Sequence, residues 1–343
     1  MLRMSFYSYK GGSGRSTTAW NTLQRLILLM KPTPENPFVI VDTDTESAGS
    51  TFLYKAKTVF YKDSRLPSVQ KRMLTRDDKN YKAASGAEKL AFFGTMHPIG
   101  DCFGLSGDQE RAVLLIGVNL DRDSAAGTDT TGKNSEQLTN FTNNITRACR
   151  MCGAKALIFD TPSGTQFLAR KSINDSDIVV CCMRPTMQFR ESTRDQLIKF
   201  VKKDIEDDMK KTYILTPTTV CVDDGQEFGG QTYPTHALRE IKCQFDGDNI
   251  EDESDEIKKA FKNNVSLEML KSTPASKDGG RVYDTSEDSD RVFGIPEVKR
   301  FKWFERCLGC IDEEELETND KVGINRYDVL ARLILKTYEK NKE

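Results

Sequence analysis

The sequence has little histidine or tryptophan and no long apolar segment. Its 343 residues include two histidines and two tryptophans, charged residues make up 30%, and the mean hydropathy is −0.55. No apolar run approaches the roughly 20 residues that a helix needs to cross a bilayer. We therefore expect no transmembrane segment and a cytoplasmic location, and the two histidines, His97 and His236, indicate no shared metal site.

Neither sign of charge dominates the composition. There are 50 lysines and arginines against 52 aspartates and glutamates, which gives a net charge of −2. This balance shows no general excess of positive charge for binding nucleic acid. The first residues run directly into an apolar segment, so we expect neither a signal peptide nor an N-terminal helix-turn-helix domain. The length suits one large α/β domain over 1–343.

The nine cysteines are expected to be mostly reduced, because no secretory signal is predicted. Two pairs have C-x-x-C spacing, Cys149 with Cys152 and Cys307 with Cys310. Such pairs can hold zinc or an iron–sulfur cluster. Ordinary buried or surface thiols are the alternative, and we favour it.

A glycine-rich turn lies close to the start of the chain. Residues 4–9 form an apolar and aromatic run that predicts a strand, and the pattern from Thr17 to Leu29 predicts a helix. Between them lie Lys10, Gly11, Gly12, Ser13 and Gly14. A strand, a glycine loop and a helix together place backbone N–H groups and the positive helix end around an anion. The segment therefore predicts a phosphate-binding loop.

Three further apolar runs, 37–44, 154–164 and 177–185, predict buried strands. Helical patterns between such runs are typical of a parallel sheet that is covered on both faces. Asp42, Asp44 and Asp160 come at strand ends, where ligands bind in these sheets. Each aspartate alone could simply be a turn or helix-capping residue. Together with the glycine loop, they favour a nucleotide site.

The loop Lys10-Gly-Gly-Ser-Gly-Arg15-Ser-Thr resembles the deviant Walker A motif, KGGxGK[ST], of the ParA/MinD family of ATPases. Arg15 stands where that motif has lysine, and arginine keeps the charge while offering phosphate a planar fork of donors. VDTDTESAG from Val41 is similar to the switch I segment, and DTPSG from Asp160 to the Walker B and switch II segments. The segments 213–217 and 292–296 resemble the late strands beside the base.

This resemblance implies a P-loop NTPase with a doubly wound, mostly parallel sheet flanked by helices. It does not cover about 55–135 or 222–290. We interpret 55–110 as an irregular insertion, and the polar and acidic segment 223–290 as an insertion or a flexible lid.

The resemblance also implies the cofactors ATP and Mg²⁺ and a role for each site residue. In catalysis, Arg15 would bridge phosphate oxygens, Asp44 would orient the attacking water, and Lys10 would reach the nucleotide of a second subunit. Mg²⁺ would be held by Ser16, Asp42 and Asp160. The nucleotide would be bound by Gly11, Gly12, Ser13, Gly14, Arg15, Ser16, Thr17, Gly164, Pro217 and Pro296.

The implied function is a nucleotide-dependent homodimer that hydrolyses ATP slowly, as a switch for positioning or partitioning DNA or another cargo, with a stimulating partner protein. Two alternatives stay open. One is a regulatory nucleotide-binding protein that hydrolyses little and recruits a partner. The other is a metal-cluster or targeting carrier, which would use the C-x-x-C pairs.

Basic residues could supply a surface for nonspecific DNA, or could simply be solvated. They form two groups, Arg190, Arg194, Lys199, Lys202 and Lys203, and Lys299, Arg300, Lys302 and Arg306. A C-terminal apolar stripe at helical spacing, which includes Tyr327, Leu330 and Ile334, could bind a membrane surface. We favour core packing for this stripe.

Overall fold

The structure of the chain is a computed structural model. It describes residues 1–44, 49–53, 86–118, 135–220, 227–228, 231–251, 253–271, 293–298 and 307–342.

Strands and helices alternate along much of the described chain. The strands are β1 Leu2–Tyr7, β2 Phe38–Asp42, β3 His97–Pro98, β4 Val113–Ile116, β5 Ala156–Asp160, β6 Ile178–Met183, β7 Thr212–Pro217, β8 Glu227–Phe228, β9 Gln231–Thr232 and β10 Val265–Ser266. The α-helices are α1 Arg15–Met30, α2 Gly49–Leu53, α3 Gly86–Gly94, α4 Ser135–Cys152, α5 Phe167–Asn174, α6 Met187–Glu206, α7 Tyr233–Gln244, α8 Asp255–Asn264 and α9 Thr318–Lys340.

The chain divides into two compact units. The first contains Met1–Tyr7, Met30–Ser176 and a short piece that ends at Cys310. The second contains Ser8–Leu29, Asp177–Phe304 and Ile311–Glu343.

In the first unit, the strands lie in the order β1-β5-β2-β4-β3. The neighbouring strands are parallel, except that the short β3 pairs antiparallel with β4. Every residue of β2, β4 and β5 is buried, as expected of strands covered on both faces. The register pairs Asp42 with Asp160, which brings the carboxyl ends of β2 and β5 together.

Helix α4 packs its apolar face on this sheet. Phe141, Ile145, Cys149 and Cys152 follow helical spacing and belong to one core cluster, which also contains Phe159 of β5. Both cysteines are buried in the core and neither forms a disulfide. Among the described residues, no three or more His, Cys, Asp or Glu side chains are grouped so that they could hold a metal ion.

The second unit contains the parallel neighbours β6, β7 and β10. Helix α9 begins with a capping box in which Glu317 and Asp320 each accept a backbone N–H of the other. Tyr327, Leu330 and Ile334 are buried on its inner face. The predicted core packing of the C-terminal stripe is therefore confirmed.

The predicted fold class is confirmed, because the strands are mostly parallel and helices flank them. The described part of segment 55–110 contains α3 and β3, and that of segment 223–290 contains β8, β9, α7, α8 and β10. No helix in the described ranges combines the length and apolarity that crossing a membrane requires.

A buried ion pair holds α6 to β7 in the second unit. Lys211 Nζ lies 2.8 Å from Asp204 Oδ1, and the two side chains are 1% and 3% exposed. The hydroxyl of Tyr213 donates to the other carboxylate oxygen at 2.6 Å. Burial, followed by the charge of Asp204, raises the pKa of Tyr213 well above its ordinary value, so the phenol keeps its proton.

We expect Asp204→Ala to lower the free energy of unfolding by about 3–5 kcal/mol, because it leaves a buried ammonium without its counter-charge. Urea unfolding of the purified variant measures this loss. Glu206→Ala on the same helix is the control, since it removes only a surface partner of Lys203 and is expected to change nothing measurable. An equal, small effect of both substitutions would show that the buried pair does not hold α6.

Candidate functional site

Each compact unit contains its own group of predicted functional residues, and the two groups are described separately. In the second unit, residues 8–14 form the loop that leads into α1. Gly12 and Gly14 have φ angles of 75° and 69°, in the left-handed region. Residues other than glycine are strained there. Left-handed glycines alternating with other residues turn successive N–H groups to one side and create an anion-binding concavity.

Helix α1 begins at Arg15, and its first turn contains no acidic side chain. The first intrahelical bond of this turn runs from the N–H of Thr18 to the carbonyl of Gly14, at 2.9 Å. The N–H groups before Thr18 have no acceptor within the helix, and the positive end of the helix dipole lies here. Ser16 and Thr17 lie in this turn, so their backbone N–H groups add to the donors at this end of the helix.

Two buried polar side chains lie in the loop and at the first residue of α1. Ser13 is 1% exposed, and its Oγ has no hydrogen-bond partner among the described residues. Arg15 is 8% exposed, and its guanidinium donates a long hydrogen bond of 3.4 Å to Ser8 Oγ. A buried hydroxyl without a partner costs free energy that an anionic ligand would recover. The loop therefore fits a phosphate group.

Two cations share one aromatic ring beside the loop. Lys10 Nζ lies 5.7 Å from the centroid of Phe189, and the guanidinium carbon of Arg184 lies 6.0 Å from it. Cations at this distance are attracted to the face of the ring. Phe189 therefore holds both positive charges next to the glycines.

The loop is also held through its carbonyl groups. Arg184 Nε donates to the carbonyl of Gly12 at 2.9 Å, and Thr218 Oγ1 donates to the carbonyl of Ser13 at 2.5 Å. Arg184 and Thr218 directly follow the ends of β6 and β7. Sequence analysis assigned no role at the loop to Arg184, Phe189 or Thr218, because they lie about 170 residues or more from it along the chain.

The first unit contributes three buried aspartates at strand ends. Asp42, Asp44 and Asp160 are 0%, 3% and 1% exposed. Asp42 accepts the backbone N–H and the hydroxyl of Thr51, at 2.8 and 2.7 Å. Asp160 accepts the hydroxyl of Ser50 at 2.6 Å. Both hydroxyl donors come from α2, which follows the predicted switch I segment.

These carboxylates are electrostatically unfavourable as a pair. Burial and, after it, the neighbouring charge of Asp160 together raise the pKa of Asp42 to about 8, against the opposing hydrogen bonds from Thr51. Two buried carboxylates at adjacent strand ends can share a proton or neutralise a cation. Magnesium prefers such oxygen ligands and uses only one or two carboxylates, so this pair fits Mg²⁺.

The glycine of the predicted switch II segment is also anchored. Gly164 has a left-handed φ of 80°, and its carbonyl accepts the hydroxyl of Tyr7 at 2.9 Å. At the start of the same segment, Thr161 donates its N–H and its hydroxyl to the carbonyl of Phe6, at 3.2 and 2.9 Å. The end of β1 therefore holds this segment at two points.

In the second unit, the two predicted base-side prolines are brought together. Pro296 forms an isolated bridge with Val220, and the N–H of Ile295 donates to the carbonyl of Pro217 at 2.8 Å. A Cβ at Gly294 would come within 2.5 Å of that carbonyl, so only glycine allows this approach.

A buried arginine holds the same segment. Arg326 Nε donates to the carbonyl of Gly294 at 3.1 Å, and the side chain also donates to the carbonyls of Met269 and Lys271. Burial lowers the pKa of Arg326 to about 10. No sequence motif pointed to this residue.

The structure also locates the first group of predicted DNA-binding cations, on α6. Four of the five are next to carboxylates. These pairs are Arg190 with Glu240, Arg194 with Asp195, Lys202 with Glu253, and Lys203 with Glu206 and Asp207. The second group, Lys299, Arg300, Lys302 and Arg306, lies outside the described residues.

No known protein family and no curated protein matches the sequence. Solved structures do match. The MinC:MinD cell division protein complex of Aquifex aeolicus matches at 12% identity and TM-score 0.51, over 96% of each chain. The septum site-determining protein MinD of Pyrococcus horikoshii, with Mg-ADP, matches at 14% identity and TM-score 0.48, over 98% of this chain and 99% of that one. A cobyrinic acid a,c-diamide synthase from Mycobacterium smegmatis, with ADP and magnesium, matches at 14% identity and TM-score 0.48, over 99% and 97%.

The mostly parallel strands, the glycine loop before α1 and the likeness to the Aquifex structure define a P-loop NTPase fold. At 12% identity this likeness shows the fold alone, and it agrees with the fold class predicted from the sequence.

We expect the stability of the metal-free protein to fall as pH rises from about 4 to about 8, because of Asp42. The unfolded aspartate loses its proton near the ordinary pKa of 3.8, whereas the folded one keeps it up to about 8. The unfolded state therefore binds fewer protons in this window, so unfolding becomes easier with increasing pH.

Asp42→Asn cannot ionise and should show a flatter pH dependence and a higher stability above neutral pH. Urea unfolding in EDTA at several pH values measures both. Asp108→Asn, at an exposed carboxylate of the same unit, is the control. Parallel curves for Asp42→Asn and wild type would contradict the assignment.

Proposed function

We propose that this protein binds ATP with Mg²⁺, hydrolyses it slowly, and uses the nucleotide as a switch within a homodimer. The observation that carries the proposal is the loop of 8–14. Its left-handed glycines, the unpartnered Ser13 hydroxyl and the start of α1 together fit a chain of phosphates. The ParA/MinD-type fold supports ATP as the nucleotide.

The role of each residue follows from the family resemblance. Backbone amides of the loop would bind the β-phosphate, Arg15 would bridge β and γ oxygens, and the N–H of Gly164 would face the γ-phosphate. ATP hydrolysis of this kind needs mainly positioning and charge neutralisation. Asp44 would orient the attacking water.

The magnesium ligands are assigned on the same ground. Ser16 would offer its hydroxyl, and Asp42 and Asp160 their buried carboxylates. The raised pKa of Asp42 supports this assignment, since a divalent cation would relieve the repulsion between the carboxylates. When bound, Mg²⁺ supplies charge neutralisation of the phosphates.

The homodimer is proposed from Lys10. This residue directly precedes the Gly-Gly pair, and Phe189 holds its ammonium beside the loop. By resemblance, Lys10 would contact the nucleotide of the second subunit, so that ATP stabilises the dimer. The Aquifex structure pairs MinD with MinC. We therefore also propose that this chain has a protein partner, which binds according to the nucleotide state.

We propose that α6 does not bind DNA as the cargo of the switch. The basic residues there are mostly paired with carboxylates, which removes the excess positive charge that attracts phosphates. This observation favours a switch that recruits a partner protein. It also supports the alternative of a regulatory nucleotide-binding protein with little hydrolysis.

We expect slow ATP hydrolysis by the purified protein and ATP-dependent dimers in solution. Asp44→Ala should lower the rate by about 100-fold or more, as is typical for the loss of a water-orienting group. Lys10→Ala should abolish the dimer. Steady-state phosphate release and mass in solution measure the two effects, with and without duplex DNA.

Matched controls are available for both variants. Asp108→Ala, in the first unit, and Lys259→Ala, in the second, remove exposed charges of the same kind at residues outside the predicted site. Stimulation by DNA would contradict the proposed cargo. ATP binding with neither turnover nor dimers would overturn the switch in favour of the regulatory alternative.

A further inference from the structure

Two consecutive carbonyls of the glycine loop are held by side chains from neighbouring strand ends. Arg184, the first residue after β6, donates to Gly12, and Thr218, the first residue after β7, donates to Ser13. The loop is therefore fixed from the side of β6 and β7.

Holding a carbonyl also fixes the direction of the next N–H. In a trans peptide plane, the carbonyl of one residue and the N–H of the next point in opposite directions. The bond to the Gly12 carbonyl therefore turns the N–H of Ser13 away from Arg184. The bond to the Ser13 carbonyl likewise turns the N–H of Gly14 away from Thr218.

These peptides need such restraint because glycines flank them. Gly12 and Gly14 adopt both signs of φ at low cost, so the intervening peptides can flip. A flipped peptide would present its carbonyl oxygen, a negative dipole end, to an approaching phosphate. The restraint thus decides whether the loop attracts or repels an anion.

We propose that Arg184 and Thr218 are positioning residues of the phosphate loop, which hold the N–H groups of Ser13 and Gly14 toward the bound nucleotide. This inference rests on the proposed nucleotide-binding function. It assigns a task to two residues outside the loop motif and the strand-end aspartates.

The two donors are anchored differently. Thr218 is 1% exposed, and its own N–H donates to the carbonyl of Met183 at 2.8 Å. Its Oγ1 also lies 3.2 Å from that carbonyl, so the shorter contact, to Ser13, is the one that takes the hydroxyl proton. Arg184 is exposed and is held from outside by the ring of Phe189. Thr218 therefore holds the loop from a rigid, buried position, and Arg184 holds it from the exposed side.

The decisive test is a pair of substitutions at Thr218. Thr218→Val keeps the shape and removes the donor, whereas Thr218→Ser keeps the donor. We expect Thr218→Val to weaken ADP binding by about five- to tenfold, the effect of one net hydrogen bond, and Thr218→Ser to restore it. AMP, which lacks the β-phosphate, should bind both variants as it binds wild type. Calorimetry measures these affinities.

A spectroscopic readout separates positioning from a loss of stability. The ³¹P resonance of the β-phosphate of bound ADP should shift in Thr218→Val and return in Thr218→Ser. Arg184→Met removes the second donor at an exposed position, where folding is not at risk, and should shift the same resonance. Arg194→Met, at a partly exposed arginine of α6, is the control and should leave it unchanged.

The outcomes distinguish this inference from the function on which it rests. If wild type binds no ADP, the proposed function itself fails. If wild type binds ADP, and Thr218→Val and Arg184→Met match it in affinity and β-phosphate shift, the inference alone is overturned. An equal loss of ADP and AMP binding would also overturn it, because the effect would not be confined to the phosphate loop.

Discussion

The structure depends on a turn whose backbone N–H groups stay available to a ligand. Such groups are costly when they are buried without a partner. The loop 8–14 meets this constraint with left-handed glycines at 12 and 14. Carbonyl groups of the loop find donors inside the unit, so the opposite N–H groups remain for a ligand. The first turn of α1 adds further amides and a favourable dipole. An anion such as the proposed phosphate would complete this set of donors.

The strand-end aspartates concentrate buried negative charge, whereas the loop concentrates N–H donors. Asp42 and Asp160 are buried side by side, and burial together with mutual repulsion raises the pKa of Asp42 to about 8. Such a pair is costly without a cation and favourable with one. Thr51 and Ser50 hold the two carboxylates in place through hydroxyl donors. This arrangement supports the proposal that the two aspartates hold a cation rather than only cap a helix or a turn.

Much of this could be predicted from the sequence, because the loop and the strand ends are local patterns. The helix expected from Thr17 begins at Arg15, and the strand expected over 4–9 is β1, Leu2–Tyr7. Its end moves because Ser8 and Tyr9 already belong to the turn. The packing of the C-terminal stripe could also be predicted, because apolar residues at helical spacing indicate a buried helix face.

The supporting residues could not be predicted in this way. Arg184, Phe189 and Thr218 reach the loop through tertiary contacts, and Arg326 reaches Gly294 through another. The sequence also could not predict that the α6 cations pair with carboxylates, because the partners Glu240 and Glu253 belong to other segments of the chain. Sequence patterns report periodicity and local turns, whereas these contacts depend on how distant elements pack.

The most direct measurement is the affinity of the wild-type chain for ADP compared with AMP, in the presence of Mg²⁺. If the loop binds the β-phosphate through several amides, ADP should bind about 100-fold more tightly than AMP, a difference of about 2.7 kcal/mol. Equal affinities, or no binding of either nucleotide, would contradict the assignment of the loop as a phosphate site.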